Sequence, residues 1–187
     1  MNLFRLSAVI GGLGLLAGGL SGCLKAPEYP TTPSISFNRI EARRTNFANP
    51  QQQPIDSVLI TINFQDGDGD LGLTEAESKV APYAFPALFN NNYFVEPFIK
   101  DRTGRYVSTV SLGLTTTGAY NGRFDHPSPL TDGKAAPLKG TLTRTIGFGY
   151  GDVFTAGQVV RFDVSIADRA LNLSNVIRTD SIVIAKR

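Results

Sequence analysis

The chain has one cysteine, Cys23, one histidine, His126, one methionine and no tryptophan. A single cysteine excludes an intrachain disulfide, so the fold must be held by its core. The histidine sits in Asp125-His126-Pro127, a loop sequence, and no serine occupies a Gly-x-Ser-x-Gly elbow. No glycine-rich phosphate loop follows a strand and opens a helix. The 18 basic residues against 16 acidic ones are scattered along the chain, so no basic stripe argues for nucleic acid. No segment carries a convincing helical stripe. The longest apolar stretch, Leu6 to Leu20, is 15 residues with five glycines, short of the about 20 residues a spanning helix needs.

That stretch follows one basic residue, Arg5, and ends in Leu20-Ser21-Gly22-Cys23. A charged start, a short apolar middle and small residues at the cut make a secretory signal. The Leu-Ser-Gly-Cys tail resembles the lipobox of bacterial lipoproteins. That resemblance implies removal of residues 1–22 and acylation of Cys23, with the membrane engaged through the lipid anchor. Leu24 follows where an Asp would retain the protein, so the resemblance implies an outer-membrane lipoprotein, facing the periplasm or the cell surface. Residues 23–33 carry Pro27, Pro30 and Pro33 and read as a tether at about 3 Å per residue.

Residues 34–187 are long enough for one domain with a real core. They are rich in Thr, Phe, Ile, Val, Gly and Pro. Seven strands are expected: Ser34 to Ile40, Ser57 to Gln65, Tyr93 to Lys100, Arg105 to Ser111, Gly140 to Phe148, Val160 to Ile166, and Asn175 to Ala185. The second puts Val58, Ile60, Ile62 and Phe64 on one face. Asp101-Arg102-Thr103-Gly104 reads as a hairpin turn. Thr74 to Val80 has room for two helical turns at most. The fold class is therefore all-β, an immunoglobulin-like β-sandwich of about seven strands. Two long loops remain, Asp66 to Asn92 and Leu112 to Leu138, and long loops are commonly functional. The first contains half of a run of aromatics, Tyr83, Phe85, Phe89, Tyr93, Phe94 and Phe98, suited to a core or to sugar stacking.

The first loop opens with Asp66-Gly67-Asp68-Gly69-Asp70-Leu71-Gly72. Alternate carboxylates can point the same way, and glycines let the backbone turn around a centre. Calcium wants six to eight oxygens, and with Asp66 as position 1, Asp68, Asp70 and Glu77 fall at positions 3, 5 and 12 of an EF-hand loop. Leu71 replaces the glycine at position 6 and a strand precedes the loop, so the ligand spacing is shared but the motif is not. The alternative is a polar turn in which the aspartates cap nearby amides. Three crowded aspartates repel one another, so an ordered loop needs a cation or a nearby arginine. The second loop, Asp168-Arg169-Ala170-Leu171-Asn172-Leu173-Ser174-Asn175, lies at the same end of an immunoglobulin-like sandwich. It offers Asp168, Asn172 and Asn175 as further oxygens, or Arg169 as the neutralising charge.

These two runs, with Asn91-Asn92-Tyr93-Phe94-Val95 and Asn121-Gly122-Arg123-Phe124, resemble a family of uncharacterised lipoproteins of Bacteroidota-type bacteria. The resemblance implies an immunoglobulin-like β domain at the cell envelope and brings no established activity. Two functions fit. One is a non-enzymatic binding or scaffold module for an envelope protein or glycan, stiffened by calcium. The other is a carboxylate-based hydrolase of polysaccharide, for which a Glu75–Glu77 pair is available. If Cys23 is the acylated residue, Cys23→Ser should leave the signal uncut and remove the acyl mass from the chain. Mass spectrometry of the membrane fraction reads this, and an unchanged mass excludes acylation there.

Overall fold

The computed structural model describes residues 28–45, 51, 55–127, 135–149 and 152–184. Cys23 and the signal lie outside the described residues. The described chain is all-β, with strands β1 (Ser34–Thr45), β2 (Ile55–Asp66), β3 (Tyr93–Lys100), β4 (Tyr106–Ser108), β5 (Leu138–Gly149), β6 (Val159–Ile166), β7 (Ile177–Arg178) and β8 (Ile182–Val183). A three-stranded sheet has the order β1-β2-β5. A five-stranded sheet has the order β4-β3-β6-β7, with β8 also paired to β6. All pairings are antiparallel.

The period-two pattern of β2 sets the core. Val58, Ile60, Ile62 and Phe64 are buried on one face, opposite Val160, Phe162, Val164 and Ile166 of β6 and Tyr93, Val95 and Ile99 of β3. Phe148 of β5 bridges the layers, with its ring 4.7 Å from Tyr120, 4.8 Å from Phe154 and 6.1 Å from Phe162, centroid to centroid. On the opposite face, Thr61 and Thr143 hydrogen-bond at 2.8 Å, and at the far end of β2 Arg44 donates twice to Asp56.

The expected elements appear with shifted ends. β1, β2 and β5 lengthen because each residue added to one finds a partner on its neighbour. The last expected strand divides in two at Thr179. There the Phe162 amide donates to the Thr179 hydroxyl at 3.0 Å, and the Thr179 amide returns a bond to the Phe162 carbonyl at 2.9 Å. A side chain takes a ladder position, and the chain steps out before β8. The turn at 101–104 forms as read: Asp101 accepts from the amides of Thr103 and Arg105, and Gly104 adopts φ +89°. Between Thr74 and Val80 there is one short 3-10 turn, Glu77–Lys79.

β2 and β6 end, and β1 and β3 begin, at one end of the molecule. That end receives the β2–β3 loop, the β6–β7 loop and residues 28–33. Phe162 is wholly buried between the layers, so Phe162→Ala in residues 28–187 should cost about 3–5 kcal/mol of urea-unfolding stability. Val183→Ala, at an exposed edge, should stay within about 0.5 kcal/mol.

Candidate metal centre

Asp66 continues the inward series of β2. Positions 58, 60, 62 and 64 face the core, and two residues on from Phe64 the same face carries a carboxylate instead of a hydrocarbon. Asp66 is 0% exposed. The loop that follows is fixed by backbone bonds to three other segments. The Gly67 amide donates to the Pro30 carbonyl at 2.8 Å, the Ala136 amide to the Asp68 carbonyl at 3.0 Å, and the Leu73 amide to the Phe124 carbonyl at 2.9 Å. Leu71, fully buried, pairs with Asp168 as an isolated antiparallel bridge. Two glycines are obligatory here. Gly69 has φ +71° and a Cβ on it would overlap the Ala136 carbonyl; Gly72 has φ +96° and a Cβ on it would overlap the His126 backbone.

These constraints bring oxygens of Asp66, Asp68 and Asp70 within 4.8 Å of one another. Both carboxylate oxygens of Asp66, Oδ1 of Asp68 and Oδ1 of Asp70 are buried without a hydrogen-bond partner. Burial without partners is costly for a carboxylate. Burial foremost, then the charges of Asp68, Asp70 and Asp168, pushes Asp66 up to about 7. Burial, with Asp168 and Asp68, raises Asp70 to about 6, against the Ala170 amide and Arg169. The Ala170 amide reaches Asp70 Oδ2 at 3.1 Å.

Arg169 does not neutralise the cluster through its side-chain bonds. Its Nε and its amide both donate to the Asp70 carbonyl, at 3.1 and 3.2 Å, and Nη1 donates to Glu77 at 3.3 Å. Glu77 stands apart from the three aspartates. One of its oxygens accepts from the Thr74 amide and hydroxyl at 2.8 and 2.7 Å, while the Glu77 amide donates to the Thr74 hydroxyl at 3.2 Å. This is a capping box, and Thr74-Glu-Ala-Glu77 in the sequence carries its signature. Burial raises Glu77, but the Thr74 bonds, His126 and Arg169 outweigh it and hold the carboxyl at about 2. His126 Nε2 lies 3.2 Å from it.

Asp168 is buried beside the cluster, and its charge acts on Asp66 and Asp70. Its own oxygens accept from the Asn172 amide at 2.7 Å and side chain at 2.9 Å. Asn175 is directed elsewhere, pairing with both backbone groups of Ile35 at 2.9 Å and tying this loop to β1. The Tyr83 hydroxyl donates to the Arg169 carbonyl, a link between the loops that no spacing in the sequence signals.

Calcium binds oxygens at about 2.3–2.6 Å, so two oxygens on one ion lie at most about 5 Å apart, and the three aspartates fit that limit. The four unpartnered oxygens are the acceptors such an ion would take up. The arrangement can therefore hold a metal ion. No family model matches the chain, and no curated protein matches it. One solved structure, the X-ray structure of Northeast Structural Genomics Consortium target SoR45, is distantly similar. It has a TM-score of 0.30 and 8% identity, over 83% of this chain and 87% of that one.

The raised carboxyls set a pH dependence. A folded Asp66 or Asp70 holds its proton at a pH where the unfolded residue, near 3.8, has lost it. In chelator, raising the pH through about 6 and 7 should therefore lower the melting temperature by several degrees. Glu77 contributes the opposite slope only below the ordinary value of 4.5, outside this window. Asp66→Asn should flatten the slope between pH 5 and 8 in a fluorimetric melt, and an unaltered slope would refute the assignment.

Proposed function

We propose that this chain is an envelope-anchored lipoprotein whose β domain is a non-enzymatic binding or scaffold module with a calcium-stiffened loop end. The observation that carries the calcium part is Asp66: a wholly buried carboxylate with both oxygens unpartnered, facing two more carboxylates and no arginine bond. A polar turn would leave its aspartates capping amides. Within this trio the Ala170 amide reaches Asp70 Oδ2, and the Gly69 amide faces Asp66 and eases its burial without completing a hydrogen bond.

The immunoglobulin-like reading is supported by the path of the chain. It lays β1 and β2 in one sheet, β3 and β4 in the other, returns for β5, and crosses again for β6 to β8. The lipoprotein reading rests on Leu20-Ser21-Gly22-Cys23 and the apolar run before it. The module reading is favoured over a hydrolase by the state of the carboxylates. A glycosidase pair flanks a cleft at about 5–9 Å. The aspartates here are closer, and Asp66 is wholly buried. A groove of about 400 Å³ on the five-stranded sheet carries Glu96 and Asp163. Glu96 is bonded to Ser108, and Asp163 to Arg178 through two bonds of 2.8 Å.

Calcium should stabilise residues 28–187 against heat. An ion bound only to the folded state contributes about 2.7 kcal/mol at a hundredfold excess over Kd. Incomplete oxygen cages of exterior modules bind at about 0.1–1 mM, so about 10 mM calcium is the concentration for the test. Asp68→Asn with Asp70→Asn should abolish the rise and, by relieving repulsion, leave the chain no less stable in chelator. Glu77→Gln should keep the calcium response, because the capping box lies outside the trio. A double mutant that is destabilised in chelator, beside a parent indifferent to calcium, would mark the aspartates as turn residues.

A further inference from the structure

Exposed apolar side chains gather at the end of the molecule that carries the acidic loop. Among the described residues nine large apolar side chains are exposed, and five of them, Val80, Phe85, Leu88, Leu173 and Val176, stand in the β2–β3 and β6–β7 loops. Phe85 is 86% exposed. A mobile loop would explain such a ring cheaply, but this loop is held. The Asn90 side chain donates to the carbonyls of Ser78 and Tyr83, both at 2.9 Å, and the Tyr83 hydroxyl ties the loop to Arg169. The apolar tip is thus presented ready-shaped, and covering it costs little ordering entropy.

The same end receives the N-terminal segment. Pro30 is bonded to Gly67, and Pro33 is fully buried. Five residue steps separate Cys23 from Glu28, the first described residue. At no more than about 3.6 Å each, they reach at most about 18 Å in any conformation. β2 alone, 12 residues long, spans about 40 Å, so the opposite end cannot approach an acyl group on Cys23 as this end does.

We propose that this loop end docks on the phospholipid surface that holds the acyl chains, with Phe85, Val80 and Leu173 entering the headgroup–acyl boundary, while Leu88 and Val176 belong to the groove on the five-stranded sheet. The inference rests on the acylation of Cys23. Apolar and aromatic side chains on a fixed protein surface settle at that depth. Lys79, Arg123 and Arg169 lie among the carboxylates of this end, and a cation in the acidic loop lowers the repulsion of those carboxylates from lipid phosphate. Docking adds orientation to the attachment that the acyl chains already provide. It turns the groove walled by Phe94, Glu96, Asn121 and Asp163 sideways to the membrane, where a partner can reach it.

The chain lacks tryptophan and has one cysteine, which makes the test direct. The mature chain, residues 23–187, is coupled through Cys23 to a maleimide phospholipid in phosphatidylethanolamine–phosphatidylglycerol vesicles, with brominated lipid as the quencher. Phe85→Trp and, as a second probe, Leu173→Trp should lose about half their emission and shift to the blue, as interfacial indoles do. Val183→Trp, at the other end, should keep its emission. Circular dichroism and melting verify that each variant is folded. Equal, weak quenching at positions 85, 173 and 183 overturns the proposal and makes the apolar tip a face for a protein or glycan. The acyl mass of the chain taken from cells is read separately. Its absence, with position 85 still quenched on coupled vesicles, would fault the lipoprotein reading and leave the lipid-facing tip standing.

Discussion

The burial of one carboxylate organises the end of this molecule that carries the acidic loop. β2 carries four hydrocarbon side chains into the core at alternate positions and then, at the next inward position, Asp66. A hydrocarbon there would have closed the sandwich. A carboxylate instead demands oxygen-rich company or a cation, because leaving it bare in a low-dielectric setting opposes folding. The two aspartates that follow make the demand greater, since each raises the cost of charging the others. The pushed-up carboxyls of Asp66 and Asp70 register that conflict.

Most of the frame that crowds these groups is independent of the groups themselves. Backbone bonds to Pro30, Ala136 and Phe124, together with the Leu71–Asp168 bridge, hold the loop by its peptide groups. Arg169 is spent on the Asp70 carbonyl and on Glu77, and Glu77 on Thr74 and His126. The oxygens of the trio are therefore held near one another before any ion arrives. A preorganised cage loses little conformational freedom on binding, which is where loop sites usually forfeit affinity. The same arrangement separates two roles that the sequence places on one line: the trio gathers free acceptors, and Glu77 braces the loop beside it.

What could be read from the sequence follows from what is local. Strand faces are written in period two, so β2, β3 and β6 were legible nearly residue by residue, as was the Asp101 turn. The crowding of Asp66, Asp68 and Asp70 was legible for the same reason, since alternate residues separated by glycine have few other arrangements. Glu77 was assigned by counting along the chain to position 12, and counting does not see that Thr74 lies three residues before it with a free hydroxyl. The split of the last strand depends on Thr179 meeting Phe162 across 17 residues. The docking of Tyr29 and Pro30 on Gly67 depends on a tertiary approach, for which the glycine is the sole trace. Of the aromatic run from Tyr83 to Phe98, only Tyr93 is wholly buried, because the loop before β3 turns its rings away from the core and Phe94 and Phe98 fall on the outward positions of β3.

The position of the N-terminal segment gives these features a common direction. A tether that left the domain freely would make all faces equivalent with respect to the membrane. Here it is bonded at Pro30 and buried at Pro33, so the free length before the fold begins is shorter than the run of prolines suggests. The end it reaches also bears the acidic loop and the exposed apolar tips, and the groove of about 400 Å³ lies along the five-stranded sheet just beyond them. In a lipoprotein of this design the lipid-proximal end would be the one stiffened by a cation, and the sheet the surface left for recognition. In such a lipoprotein rigidity would belong at the attached end, because angular play there would be magnified along the roughly 40 Å length of β2. Fixing three loops around one buried charge removes that play without a disulfide, which a chain with a single cysteine cannot form.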